Sequence, residues 1–574
     1  MKLRRLFASL LLSNALFNPF TPIISYTIPT AVFAAEEEMT ILDEKPEVTE
    51  IPVKNEPNRI FTTLQEDPTS TMGFAWYTTE QFEDAKVIIS TKEDLSDPIE
   101  FKAQIEEVES HYLEKTKDGN IIFSFIETDE EGNEKISGYA TDEGMEDNKA
   151  YMAGKLHGKV EMVPVTEYSY HAKAENLEPG TTYYYQLGSE KGGMSKVGQF
   201  KTAAKEQDSF KFIHIGDTQV AFWNENVYNE SAYAADTFEQ ALKIAGDNVD
   251  FIVHGGDVVE RGEIEDEWLD LTDQMEESLL SVPIVVAPGN HEDMTANRDG
   301  QDLPYLFNQH INQPITNEAV NSGSYFSFDY HNMHFILVNT EDNRLSADNF
   351  NETAIGMKQM EWLREDLEKS QQNPKDWTIV AQHKPIFSKS YWSFDQDIRR
   401  NRFDLQALFD EFNVDLVLQA HSHVLSRTLP LVQDLTSDHF TKTVVAEYTT
   451  EEKDGVEHYI SPQGTIYTLP NGAGTKSYEI THTDKKEQII EEHPDFNWMN
   501  DKQIDQFNSF FADIDIENFK KFESVDHDCS LQHFTIYEVN GKEMTATTYE
   551  ISGDLHKGEE RKVKIVDQFG ITKK

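Results

Sequence analysis

The sequence predicts an all-β sandwich followed by an α/β domain built in layers. Three observations carry this. From residue 57 to about 204 the chain reads as short alternating runs bounded by Gly, Asp and Pro, with few helical stretches. Beyond the boundary segment "KTAAKEQDS", the runs "FKFIHIGD", "VDFIVHGGD", "VPIVVAPGNHE", "MHFILVNTED", "DWTIVAQHKP" and "VDLVLQAHSH" are apolar, rich in β-branched residues, and end in polar ones. Helical patterns lie between several of them, and strand–helix alternation with buried strands means a layered α/β domain.

The elements follow in order. Residues 1–35 place Lys2, Arg4 and Arg5 before an apolar stretch that closes on Ala31, Ala34 and Ala35, the pattern of a secretory signal. Asn14, Asn18 and Pro19 interrupt the stretch, and no later segment has the length of a membrane span. Residues 36–56 are acidic and read as a linker. Within residues 57–204, "NLEPGTTYYYQLG" alternates at Leu177, Pro179, Thr181, Tyr183, Tyr185 and Leu187. It looks like the tyrosine-corner strand of a fibronectin type III-like sandwich. "IETDEEGNEK" predicts a solvated acidic hairpin. In residues 209–555, "DTFEQALKIAGDN" predicts a helix with Asp236 as N-cap and Gly246 as its stop, and "MKQMEWLREDLEKS" a second. Residues 556–574 read as a charged tail.

The 574-residue chain carries 50 basic and 104 acidic residues, a net charge of −54. Removing the signal, with three cations and no acids, leaves −57. Such a surface repels phosphate backbones and anionic membranes, which disfavours nucleic-acid binding, and it is best tolerated at high ionic strength. Cys529 is the single cysteine. It excludes an intramolecular disulfide and a thiolate zinc site, and reads as a small buried hydrophobe.

In open α/β sheets, sites form beyond the carboxyl ends of strands. Five such ends supply "GDTQ" (Asp217, Gln219), "GGDVVERG" (Asp257, Glu260, Arg261), "GNHE" (Asn290, His291), "QHKP" (His383) and "AHSH" (His421, His423). Two carboxylates, an amide oxygen and three imidazoles form a ligand set for two adjacent metals. One such end alone is as well explained by a wet loop; five in this order are not. His421 and His423, one residue apart, would look to one side if extended. His214, His254, His331 and His334 lack such partners and read as structural.

The order GD, GDxxxRG, GNHE, H and HxH resembles the calcineurin-like metallophosphoesterases. With the sandwich before it, the chain resembles their purple-acid-phosphatase-like branch, supported by "GTIYTLPNGAGTKSYE" and "LQHFTIYEV". The resemblance implies a four-layer α/β/β/α metallophosphoesterase domain. It implies that Asp217 and His423, with Gln219, serve the first metal, Asp257 bridges, and Asn290, His383 and His421 hold the second. His291 is implied as general acid or phosphate contact, with Glu260 raising its pKa and Arg261 beside it. The cofactors would be two divalent ions, manganese, zinc or iron, which generate a metal-activated hydroxide against a small phosphoester substrate.

Three departures stand out. Gln219 replaces the usual His, Glu260 stands where purple enzymes carry a ligating Tyr, and Ala420 replaces the Gly of GHxH. Gln219 pointing at water, and Glu260 as a surface carboxylate near Arg261, are the alternatives. The expected function is secreted or cell-wall-associated hydrolysis of phosphate monoesters. A phosphodiesterase or nucleotidase, or a non-catalytic surface binding protein, are the other readings. "TEDNRLSADNFNETA" and "FSKSYWSFDQDIRRNRF" would read the leaving group: Trp392 and Phe394 by stacking, Arg399, Arg400 and Arg402 by holding a phosphate.

Overall fold

The computed structural model describes residues 41–574 except 52, 130–131, 144–157, 208, 222–229, 247–248, 298–302, 304, 317–324, 343–354, 478–493 and 515–530. The signal segment, Cys529 and most of "TEDNRLSADNFNETA" lie outside the described residues.

The catalytic-type domain has the four layers α/β/β/α. In the first sheet, Ser209–Ile215, Phe251–His254 and Ile284–Val286 run parallel, and Leu531–Asn540 pairs antiparallel to Ser209–Ile215. In the second, Met333–Val338, Trp377–Gln382, Leu416–Leu418 and Ile466–Leu469 run parallel, with Phe326–Tyr330 antiparallel at one edge. Alternation assigns each strand residue to a layer. Phe212, Phe251, Val253 and Val285 meet Phe335, Leu337, Ile379 and Leu416 in a core shared by the two sheets. Their neighbours Ile213, Ile252, Ile284 and Val286 turn outward onto the helices Glu230–Ala245 and Glu265–Leu279. Ile336, Val338, Val380 and Val417 do the same onto Met357–Ser370 and Gln396–Phe412.

Met357–Ser370 is the helix expected in full. The other expected helix begins earlier, at Glu230, so Asp236 lies inside it and pairs with Arg561 at 2.8 Å instead of capping. Gly246 does stop it, at φ +75°, a conformation that glycine adopts without a Cβ clash.

The sandwich sets Asn58–Thr63, Met72–Thr78, Met162–Ala174 and Gln104–Leu113 against Lys86–Ser90, Ile99–Lys102 and Thr182–Ser189. Tyr183, Tyr185 and Leu187 are buried, and the Glu178 N–H donates to the Tyr183 hydroxyl at 2.8 Å, the corner contact expected. Pro179 and Thr181 precede the strand. Thr63 pairs in parallel with Ile284, so the first sheet continues through the sandwich as twelve strands.

The described residues of 41–50 and 113–162 form a separate compact unit. There the acidic hairpin forms from Ile122–Thr128 and Glu134–Thr141. Of the expected linker, residues 41–50 are held within that unit by bridges Leu42–Tyr139 and Val48–Thr116. The expected tail is also corrected: Lys562–Thr572 is a strand paired along its length with Glu543–Ser552, burying Phe569 and Ile571. Charges on its exposed face hid that pattern. Among the described residues no helix is long and apolar enough to cross a membrane.

Candidate metal centre

The five polar strand ends converge, and the backbone there is left-handed. Asp217, Gln219, Asp257, His421 and His423 have φ of 52°, 40°, 53°, 68° and 45°. The two histidines therefore reach the site from a bend after Leu418, not from an extended segment. Such conformations cost of order 1–3 kcal/mol each and persist where surroundings over-determine them. Here the Asp217 N–H donates to Gly256 O at 3.0 Å, Gln219 N–H to Asp257 O at 2.8 Å, and Gly474 N–H to Asp217 O at 3.1 Å. Ala420 is accommodated because it faces two glycines: a Cβ on Gly216 or Gly255 would lie 3.0 or 2.5 Å from its methyl.

Among the described residues, ligand atoms lie within 4.8 Å of one another in each of two groups, all buried except the half-buried His421: Asp257, His383 and His421, and Asp217, Asp257 and His423. Asp257 belongs to both. In the first of these groups, His383 Nε2 lies 3.1 Å from Asn290 Oδ1, 3.1 Å from His421 Nδ1 and 3.2 Å from Asp257 Oδ2. His383 Nδ1 donates to Gly255 O at 2.8 Å, which turns Nε2 toward the group. Burial opposes a charge on His383, but Asp257 and Asp217 raise it to about 9, so a proton on Nε2 and a metal ion compete for one place among these acceptors. In the second, His423 Nε2 is 3.6 Å from Asp217 Oδ1, while His423 Nδ1 donates to Lys476 O at 3.1 Å. Each carbonyl fixes a tautomer with Nε2 free for a ligand bond. The residues fit a pair of metal ions.

Electrostatics agree. Burial and Lys476 push His423 down to about 3, and burial and His383 push His421 well below the imidazole range, so both are neutral donors. Burial opposes ionisation of Asp257, yet His383, His291 and His421 hold it well below the usual carboxylate range. Burial raises Asp217, which accepts the His421 N–H on both oxygens at 2.9 Å.

Beside the Asp217 group lies a polar cluster. Gln219 Nε2 is 2.8 Å from Glu260 Oε2 and 2.8 Å from His291 Nε2. Gln219 Oε1 is buried with no hydrogen-bond partner, the one amide atom open to a cation. His291 is not in either ligand group. Its Nδ1 donates to the Glu260 carbonyl at 2.8 Å, and its backbone N–H donates to Asp257 Oδ1 at 3.0 Å. Glu260 is buried, not a surface carboxylate. Burial works against its ionisation, but Lys476, Arg261 and His291 outweigh it and hold it well below its ordinary value. Glu260 does raise His291, as expected, and so does Asp257, but burial outweighs them, helped by Lys476 and Arg261, and the group lies below its ordinary value.

Two contributors went unassigned in the sequence. Glu292, the last residue of "GNHE", accepts backbone N–H groups of Asp257 at 3.2 Å, Gly289 at 2.8 Å and Val258, and so shapes the turn carrying Asp257. Lys476 contacts the Glu260 carboxylate. "GNHE" itself was a signal for the first; nothing local marked the second. Of the expected leaving-group contacts, Trp392 lies beside the centre, its ring 5.8 Å from that of His421. Phe394 is buried among Phe440, Phe496 and Phe507. Arg402 is buried and donates to the carbonyls of Ile386 and Ser393, each at 2.5 Å, so it braces the loop and cannot reach a phosphate. Arg399 lies over Trp498.

The calcineurin-like phosphoesterase family matches residues 210–425, and the purple acid phosphatase N-terminal domain matches residues 57–202. The chain thus carries a calcineurin-like phosphoesterase domain preceded by a purple acid phosphatase N-terminal domain. It is similar to purple acid phosphatase 23 of Arabidopsis thaliana, 26% identical over 277 residues, 45% of this chain and 57% of that protein. An acid phosphatase of Aspergillus ficuum is 24% identical over 396 residues, 48% of this chain and 62% of that protein. The chain thus spans about three fifths of the length of these relatives. Other Arabidopsis relatives bear the name probable inactive purple acid phosphatase. The solved structure of purple acid phosphatase PPD1 from yellow lupin seeds shares the fold, with TM-score 0.56 and 17% identity over 90% of this chain and 75% of that one.

Proposed function

We propose that the chain is an exported, metal-dependent phosphoesterase hydrolysing phosphate monoesters at a pair of divalent ions. One observation carries the reading: two groups of close-set ligand atoms share Asp257. Asp217, Asp257, His423 and the Gln219 amide oxygen would hold the first ion; Asp257, Asn290, His383 and His421 the second. When bound, two such ions lower the pKa of a shared water, neutralise phosphoryl oxygens and align the attack. The protein's own contribution is position and protons. Asp257 keeps the ions adjacent, and Gly255 O and Lys476 O fix two imidazoles. His291 Nε2 accepts the Gln219 amide N–H while Nδ1 donates to the Glu260 carbonyl, so it would donate to the leaving oxygen only after taking up a proton from solvent. The sequence pattern of residues 1–35 supports export.

The test is metal analysis of the purified chain, followed by hydrolysis of p-nitrophenyl phosphate and bis(p-nitrophenyl) phosphate after reconstitution with manganese or zinc. Two ions per chain and faster monoester turnover are expected. Faster diester turnover would favour the phosphodiesterase reading. An inert, metal-free chain would favour a non-catalytic binding protein, the reading that Gln219 and Glu260, with the relatives named inactive, bring into play.

A further inference from the structure

A ladder of buried contacts runs from the sandwich to the backbone that carries His291. Arg59 lies on the sandwich strand Asn58–Thr63 and is buried. Its Nη2 donates to both oxygens of Glu167 at 2.8 Å, and its Nη1 donates to Glu265 Oε2 at 2.5 Å. Glu265 opens the helix Glu265–Leu279, and the same oxygen lies 3.0 Å from His310 Nε2. The His310 ring stacks on Trp268, with centroids 4.0 Å apart and planes within 8°. Trp268 is buried, and its Nε1–H donates to Gly262 O at 3.1 Å. Gly262 N–H in turn donates to His291 O at 3.1 Å, and a Cβ on Gly262 would fall 1.8 Å from Glu292 O. The backbone at residues 260–262 therefore lies on that of His291, and the Glu260 carbonyl there turns the His291 ring.

A phenylalanine at position 268 would keep a ring on His310. What the indole adds is an N–H, which needs an acceptor when buried. Its acceptor is the carbonyl of the residue that holds His291 O. We infer that Trp268 is a positioning residue for His291, acting through Gly262, and that the sandwich holds Trp268 in place through Arg59, Glu265 and His310. This rests on the reading of His291 as the group that meets the leaving oxygen. Misplacing such a group by about 1 Å can cost about 10²-fold in rate.

The experiment compares the full chain with Trp268→Phe, Arg59→Lys and, as a control from the same helix and core, Met275→Leu, each reconstituted with manganese. Metal content, kcat and KM are read on p-nitrophenyl phosphate and on an alkyl phosphate. Trp268→Phe should keep the parental metal content and KM, lose about tenfold in kcat on the alkyl phosphate, and lose less than about twofold on the nitrophenyl ester. Arg59→Lys keeps the charge without the two-pronged fork, and should show the same pattern at about threefold. Met275→Leu should match the parent. Parental kcat in Trp268→Phe, equal losses on both substrates, loss of an ion, or the same losses in Met275→Leu overturn the inference. So does failure of Trp268→Phe to fold while Met275→Leu folds, since the N–H then serves the fold. Parental turnover in Arg59→Lys overturns the part given to the sandwich. Equal losses on the two substrates in His291→Asn overturn the reading of His291 itself, a result that involves no change at Trp268.

Discussion

The two ligand groups share Asp257 and differ in almost everything else. The Asn290, His383 and His421 group is closed: its donor atoms sit 3.1–3.2 Å from His383 Nε2. The Asp217 and His423 group is looser, at 3.6 Å, and borders a buried cluster of Gln219, Glu260, Arg261, His291 and Lys476. A neutral amide is a poorer donor than imidazole, and no tyrosine at position 260 supplies a phenolate. On the two-ion reading, one scaffold would hold one ion tightly and the other weakly, with His291 beside the weaker one.

The largest break comes at the shared residue. Asp257→Ala removes the one negative charge between two cations, so loss of at least one ion and nearly all turnover is expected by metal analysis and assay. Retention of both ions with parental turnover would refute the shared-ligand assignment. Next is His291→Asn, which should keep metal stoichiometry and lower turnover by about 10²–10⁴-fold, mostly for substrates with poor leaving groups. Equal losses for nitrophenyl and alkyl phosphates would argue against proton donation. Gln219→His should tighten the weak site toward the strong one. No change in the chelator titration would mean that Oε1 does not face the ion.

A reference far from both groups has the smallest effect. His334 bonds Asp329 and Asp366, each at 2.9 Å. Burial opposes its charge, but the two carboxylates raise it to about 9. A raised folded pKa stabilises fully below the unfolded value near 6.5 and is lost as pH rises through about 9. Thermal melting should therefore lose on the order of 1–3 kcal/mol across that window, and His334→Gln should flatten the loss. A variant with the parental pH slope would contradict this.

The ligand set was legible because each strand end presents its residues contiguously, as in "GNHE" and "AHSH", and so were both domains and the layering. The reason His421 and His423 converge was not, because a left-handed bend leaves no mark in residue spacing. Lys476 meets Glu260 across 216 positions, a contact that only the fold creates. Arg402 and Phe394 misled for the opposite reason: a basic, aromatic loop reads as solvated until the core claims it. The closing strand Lys562–Thr572 was hidden by the charges on its exposed face.

The most direct test of the central claim, two unequal sites joined by Asp257, is a chelator titration of the reconstituted parent chain, followed by metal analysis at each step. The expected result is two ions per chain leaving in two separated steps, from a colourless protein. Two ions leaving together, or a purple protein as isolated, would contradict it.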